Sequence, residues 1–342
     1  MQVINLKAAR DFVKYIAIEM REPVMLWGQP GVGKSEVIAQ LAKEYGADLC
    51  DIRLSQYDSV DLRGIPVPDV GAMLTHWVPP STLPFAGNDN FDPKRVCFLF
   101  LDELPNAIQG VQAAAYQLIN DRACGEHKLH DNVIVIAAGN RDGDRGATNK
   151  MPTPLANRFT HTEIGVDVEV FSEYAISKGL SPVAVAFLNF RKNLLSTFDP
   201  SKPDKAFATP RTWVKAMRYF DHPTMSDHMR LVAMSGAVGE GPAVELNGFA
   251  KIWQSLPKIS EIVKNPDTIS ISDDLSTRYA VAVMVSGSMN LENVSALHRY
   301  LKRLSADMVV LAWKLALVRD TRLYEADEYM DLSRTYKAVF AA

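Results

Sequence analysis

The sequence has little cysteine, no long apolar run and no excess of one charge. Its 3 cysteines, Cys50, Cys97 and Cys124, are too few and too scattered along 342 residues for a disulfide framework. Cys50 and Cys97 sit inside apolar runs, where a small buried thiol is the expected reading. A reducing compartment follows, most simply the cytoplasm. No apolar stretch approaches the ~18–20 residues a membrane-spanning helix needs. The longest, Tyr279–Val285 and Val96–Leu101, have the length of a strand or a short helix. The N-terminal MQVINLKAARDF lacks an apolar signal core, so export is not expected. With 37 Lys+Arg against 40 Asp+Glu the formal net charge is -3. That excludes a strongly cationic coat for nucleic acid or anionic membrane and leaves room for a local basic patch.

What is present reads as a soluble globular chain, 47% hydrophobic and 23% charged. Its length predicts about two domains. Over the first 165 residues, short β-type runs alternate with helical stretches, the pattern of a parallel sheet flanked by helices. The runs are Val24–Trp27, Leu49–Leu54, Val96–Leu101, Val133–Ala138 and Thr162–Val166. Val96–Leu101 and Val133–Ala138 are continuously apolar, as strands buried on both faces should be. Between the first two lies a helix with an apolar face of Val37, Ile38, Leu41 and Tyr45, ending at Gly46.

After residue 167 the β signals fade. Residues 168–255 read as helices broken by Gly179, Pro200, Pro203, Pro210 and Pro223, and 256–272 as a turn-rich link to a helical tail. In that tail Val294, Leu297, Leu301, Leu304, Met308, Leu311, Leu315 and Val318 follow a heptad register. The pattern predicts a long helix packed on the chain's own bundle, with a coiled-coil partner as the other reading.

The decisive segment is Gly28-Gln29-Pro30-Gly31-Val32-Gly33-Lys34-Ser35, which fits G-x-x-x-x-G-K-[ST] between an apolar strand and a helix. Glycines let backbone N–H groups turn inward around phosphate oxygens, and the helix N-terminus adds partial positive charge. Lys34 can reach the β- and γ-phosphates and the Ser35 hydroxyl can ligate Mg²⁺. Next, the strand Val96–Leu101 ends in Asp102 and Glu103. Asp102 is expected in the Mg²⁺ shell, with Glu103 accepting a proton from the attacking water. The strand Val133–Ala138 leads to Gly139 and Asn140, whose amide can orient the water or sense the γ-phosphate. Taken alone, an Asn after a strand is a turn residue.

In this order the motifs resemble the AAA+ ATPases, and within them the MoxR-like branch, over about residues 5–240. Gly28–Ser35 then matches Walker A, Leu99–Glu103 matches Walker B and Asn140 falls at sensor 1. Pro154–Phe159 looks like the segment carrying an arginine finger at Arg158, and Thr209-Pro210-Arg211 looks like sensor 2 at the start of a lid helix. The resemblance implies an α/β P-loop core with a parallel sheet flanked by helices (1–167), an all-α lid (168–255) and a helical C-terminal extension (256–342). It also implies ATP and Mg²⁺ as ligands, and a homo-oligomeric ring, most often hexameric. In that ring Arg158 reaches a neighbour's nucleotide and Arg211 acts in cis or in trans. The implied partner is a protein client, often one with a von Willebrand A-type domain. Ser59–Ile65 with Trp77–Leu83 looks like a helix-2 insert, and Asp121–Asn132 like a pre-sensor-1 hairpin turning at Gly125. The chain departs from the branch at Leu104-Pro105-Asn106-Ala107, where Ile-Asn-Arg-Ala is common, and at Arg141, where a proline often follows the sensor.

Rivals are weaker. A guanine reader needs Asn-Lys-x-Asp, and Asn149-Lys150-Met151-Pro152 lacks the Asp, which favours ATP. His127 and His130 are a poor zinc set without cysteine nearby. A Rossmann loop closes on a third glycine where this chain has Lys34-Ser35. A nucleic-acid motor with Lys128, Arg141, Arg145 and Lys150 lining a pore is set against a pI near 6.2 and the lack of a DNA-binding module. A nucleotide-gated assembly switch with little turnover is set against the intact Glu103.

Overall fold

A computed structural model describes residues 1–141, 143–144, 149 and 151–336. Arg145 and Lys150, two of the four pore candidates, lie outside the described residues. The chain divides into two compact units, Met1–Val166 and Asp167–Ala342.

The first unit is built on six parallel strands: β1 (Val3–Ile4), β2 (Val24–Trp27), β3 (Asp48–Arg53), β6 (Cys97–Asp102), β9 (Val133–Gly139) and β10 (Thr160–Ile164). Their order across the sheet is β1-β10-β2-β9-β6-β3. The central strands β2, β6 and β9 are buried along their whole length, because helices cover both faces of the sheet. On one face, Leu26, Phe98, Phe100, Ile134 and Ile136 pack with Ala9 of α1 (Leu6–Phe12) and with Val37, Ile38 and Leu41 of α2 (Lys34–Glu44). On the other, Met25, Leu99, Leu101 and Val135 pack with Val111, Ala114, Ala115 and Leu118 of α4 (Gln109–Asn120). Burying one such side chain stabilises by about 1.5–3 kcal/mol, so these two layers dominate the unit's stability. Cys50, Cys97 and Cys124 are all buried. Burial pushes the Cys50 and Cys97 thiols up to about 12, which leaves neither as a thiolate nucleophile near neutrality.

Two hairpins leave this core. After β3, the short helix α3 (Ser59–Arg63) ends at Gly64 and leads into antiparallel β4 (Ile65–Asp69) and β5 (Leu74–Val78). Gly64 has φ +86°, and a Cβ there would lie 2.0 Å from the Val78 carbonyl oxygen, so only glycine closes the hairpin's base. The second hairpin, β7 (Ala123–Cys124) and β8 (His127–Lys128), turns at Gly125 with φ +61°. His127 Nε2 lies 2.9 Å from the Trp77 carbonyl oxygen and its ring packs on Phe85, so this side chain joins the two hairpins. That role replaces the zinc-ligand reading of His127.

The last helix of the first unit is α5 (Thr153–Ala156), and among the described residues the second unit has helices and no strand. It begins with α6 (Val168–Ser177), α7 (Pro182–Phe190), α8 (Pro210–Phe220), α9 (Asp227–Val238) and α10 (Glu240–Gln254). It continues as α11 (Ile259–Lys264), α12 (Leu275–Ser288), α13 (Val294–Leu301), α14 (Ala306–Arg319) and α15 (Asp327–Thr335). Helix α12 packs on α7 through Phe190 and Tyr279, and Lys314 of α14 donates to Glu169 of α6 at 2.8 Å.

The heptad register does not form one long helix, contrary to its spacing. The chain breaks between Leu301 and Ala306, where Ser305 turns extended (φ −69°, ψ 154°) to start α14. Val294, Leu297, Leu301, Leu304, Met308, Leu311 and Leu315 are buried within this unit, which leaves these residues no seam for a coiled-coil partner. Heptad spacing reports one apolar face and does not see a break that preserves the face.

Candidate active site

Three adjacent strands end at one level. Trp27 of β2 lies opposite Gly139 of β9, and the Gly28 N–H donates to the Gly139 carbonyl at 3.2 Å. Gly28 and Asn140 therefore leave the sheet side by side. Leu101 of β6 lies opposite Ala137 of β9, which sets Asp102 beside them. On the far side of β6, Arg53 of β3 lies opposite Asp102, so the chain reaches Ser55 just past the acidic pair. The carboxyl ends of strands in an open α/β sheet are where ligands bind.

From β2 the loop Gly28–Ser35 curls into α2. Gly31 (φ +77°) and Gly33 (φ +111°) adopt left-handed backbone that side chains resist, and a Cβ at Gly28 would meet the Ile164 carbonyl oxygen at 2.9 Å. Val32 anchors the loop in the core, while Gln29 and Pro30 stay half-buried at its crest. The first N–H groups of α2 open toward the loop, a ready anion site. Lys34 is buried, and its Nζ donates to the carbonyls of Gly28 (2.6 Å) and Gln29 (3.3 Å) and to Asn140 Oδ1 (3.2 Å). These oxygens are neutral, so they offset the desolvation of the ammonium without cancelling its charge.

Ser35 Oγ donates to Asp102 Oδ2 at 3.1 Å, and Asp102 Oδ1 accepts from the Glu103 N–H at 2.9 Å. A hydroxyl and a carboxylate brought together are hard oxygen donors of the kind Mg²⁺ takes alongside phosphate oxygens and water, so this pair fits the metal. Glu103 has φ +57°, an outlier for a residue with a side chain, costing of order 1–3 kcal/mol. The strain turns its carboxylate off the strand axis, where the Ser55 hydroxyl donates to Oε2. Ser55 carries no motif of its own, because only the β3–β6 register brings it to the acidic pair.

Gly28, Gln29, Lys34, Ser35, Asp102, Glu103 and Asn140 thus form one cluster. A further candidate, Arg158, stands outside it. Arg158 is exposed beyond α5, and its guanidinium lies 5.8 Å from the centre of the Tyr116 ring of α4 and donates to the Tyr116 hydroxyl at 3.3 Å. Arg211 is exposed in the first turn of α8 in the second unit, where Thr209 caps the helix by accepting from the Thr212 N–H at 3.2 Å.

Arg141 departs from the pore reading. Its guanidinium is bidentate on buried Asp144, at 3.2 and 3.0 Å, and donates to Glu163 of β10 at 3.3 Å. The hydrogen bonds it donates to Asp144 hold the guanidinium above its usual pKa, with Glu163 adding to the effect. The side chain is committed to Asp144 and to Glu163 of β10.

Pro105, where the chain leaves the MoxR-like pattern, has a local role. A Cβ on Gly139 would fall 2.5 Å from Pro105 Cγ and 2.9 Å from Met25 Cε, so Pro105 packs flat on the end of β9. Gly139→Ala is expected to push the Leu104–Asn106 turn off the sheet and displace Glu103, at a cost of about 1–3 kcal/mol from overpacking. The thermal unfolding temperature should fall. An unchanged value would contradict this packing.

Residues 24–165 match the family described as "ATPase family associated with various cellular activities (AAA)". A curated relative, Midasin of Giardia intestinalis, is 28% identical over 158 residues, 44% of this chain. The alignment spans about 3% of that much longer protein. Among solved structures, a mutant of RuvB from Thermotoga maritima aligns over 87% of this chain and 85% of its own at 17% identity, with a TM-score of 0.40. A putative ATPase from Cytophaga hutchinsonii aligns over 98% and 90% at 14% identity and a TM-score of 0.36. The match to an AAA-family ATPase domain takes in the Gly28–Ser35 loop and every strand of the parallel sheet but β1.

Proposed function

We propose that this chain hydrolyses ATP as a homo-oligomeric, MoxR-like ring, most simply a hexamer, and uses the energy to remodel a partner protein. The observation that carries this reading is the hydrogen-bonded cluster linking Lys34, Asn140, Ser35 and Asp102 across three neighbouring strand ends. In it, Gly28–Gly33 and the start of α2 cradle the phosphates, and Lys34 adds charge beside them. Ser35 and Asp102 would hold Mg²⁺, which would supply positive charge to offset that of the phosphates. Glu103 takes the proton of the attacking water, and Asn140 orients that water or the γ-phosphate. Arg158 enters a neighbour's site and spreads transition-state charge there. Its exposure suits that role. Arg211 contributes from the second unit, whose helices act as a lid (168–255) and an extension (256–342).

A protein client is favoured over nucleic acid by the surface of the β4–β5 hairpin. Ile65, Val67, Val70, Met73, Leu74 and Val78 are all exposed on it, and an apolar ribbon suits polypeptide, not a phosphate backbone. Of the pore cations, Arg141 is engaged in ion pairs, leaving Lys128 exposed among the described residues. The client is a von Willebrand A-type protein or another polypeptide, and the setting is cytoplasmic. No described helix is long and apolar enough to cross a membrane.

Steady-state turnover of the full chain, with and without single- and double-stranded polynucleotide, tests the reading. Turnover that requires Mg²⁺ and is unchanged by polynucleotide is expected. Strong stimulation by polynucleotide would favour the motor, and negligible turnover in an assembled ring would favour a nucleotide-gated switch.

A further inference from the structure

Trp27, the residue immediately before the phosphate loop, is joined by hydrogen bonds to the turn that carries Arg158. The indole Nε1–H donates to His161 Nδ1 at 2.9 Å, and His161 Nε2 lies 2.7 Å from the Ala156 carbonyl oxygen. An indole nitrogen only donates, so Nδ1 must be the acceptor and the imidazole proton must sit on Nε2. Nε2–H therefore donates to Ala156. The ring is neutral, in a single tautomer set by its two partners.

Ala156 is the last residue of α5, and its carbonyl also accepts the Phe159 N–H at 3.2 Å. The Asn157 and Arg158 N–H groups bond back to Thr153 and Leu155 at 3.0 and 3.1 Å. The whole turn thus hangs on α5, and the His161 side chain ties it to β2. Ring packing reinforces the tie. His161 stacks on Trp27 (centroids 6.1 Å, planes 17° apart) and meets Phe159 edge-on at 6.1 Å. Leu155, Phe159 and Trp27 belong to one buried cluster, so movement at the end of β2 is felt next to Arg158.

We propose that His161 is a positioning residue: through Trp27 on one side and Ala156 on the other, it couples a subunit's own phosphate-loop strand to the arginine it presents to its neighbour. The proposal rests on the shared-site reading above. His161 touches neither nucleotide nor reacting atoms, and it acts only by holding Arg158 in place.

The test is a complementation series on the full chain. His161→Leu removes both hydrogen bonds, and His161→Gln retains one acceptor and one donor. His161→Leu should lower kcat by about 10–100-fold, the cost of misplacing a catalytic group by roughly an ångström. KM for ATP should stay within about twofold, since cis binding is untouched. His161→Gln should recover most of the loss. Mixed with Glu103→Gln subunits, His161→Leu should regain turnover, because the partner supplies an intact arginine. Mixed with Arg158→Ala subunits it should not. Should His161→Leu fail to fold, Trp27→Phe, which keeps a ring and removes the donor, takes its place with the same expected pattern. Rescue by Arg158→Ala but not by Glu103→Gln would place the defect in the cis site and overturn the proposal. So would His161→Gln as impaired as His161→Leu. A control mixture of Glu103→Gln with Arg158→Ala that fails to regain turnover would instead overturn the shared-site reading itself.

Discussion

Glu103→Gln is expected to lower ATP turnover by about 10³-fold, within the range set by losing a general base, while nucleotide binding persists. The amide is nearly isosteric, and its oxygen can still accept the Ser55 hydroxyl that Glu103 accepts now. Lys34, Ser35, Asp102 and Asn140 keep their mutual hydrogen bonds, so the phosphate cradle and the metal-fitting pair are untouched. What disappears is the carboxylate proposed to take the proton. Turnover and binding of a fluorescent ATP analogue, measured on the same preparation, separate the two functions. Near-wild-type turnover would refute the base assignment. The same variant, stalled with ATP bound, is also the form best suited to capturing a client.

Arg158→Ala is expected to cost about 10³-fold or more in turnover, the scale on which a finger arginine acts. The fold gives little reason for any other effect. The side chain is exposed, and its contact with Tyr116 is an exposed cation–π pair of about 0.5–1 kcal/mol. Unfolding temperature and nucleotide affinity should therefore hardly change. A loss of stability that matches the loss of activity would make Arg158 structural.

Much of the core was legible because its signals are local. Short apolar runs between turn-forming residues, alternating with helical stretches, mark strands buried on both faces, and β2, β6 and β9 lie within a residue of their sequence bounds. The place of the Gly28–Ser35 segment between β2 and α2 is legible for the same reason, since its glycines, lysine and serine are contiguous. Edges were less so. β1 is only two residues long, and β10 (Thr160–Ile164) lies two residues earlier than its apolar end suggested, because its polar threonines also pair in the ladder. The break at Ser305 escaped because it preserves the apolar face of the heptads. The residues that orient the site were least legible. Ser55 on Glu103, Asp144 and Glu163 on Arg141, and Tyr116 on Arg158 are brought together by strand order and loop closure, over 3 to 48 positions in sequence. No motif records such pairs.

The central claim is that each ATP is hydrolysed at a site two subunits share. It is tested most directly by titrating Arg158→Ala chains into Glu103→Gln chains under conditions where mixed rings are shown to form. Each variant alone should be nearly inactive. The mixture should regain turnover with a maximum near equal proportions, where the most interfaces pair an intact Glu103 with an intact Arg158. Turnover that never rises above that of the separate variants would contradict a shared site.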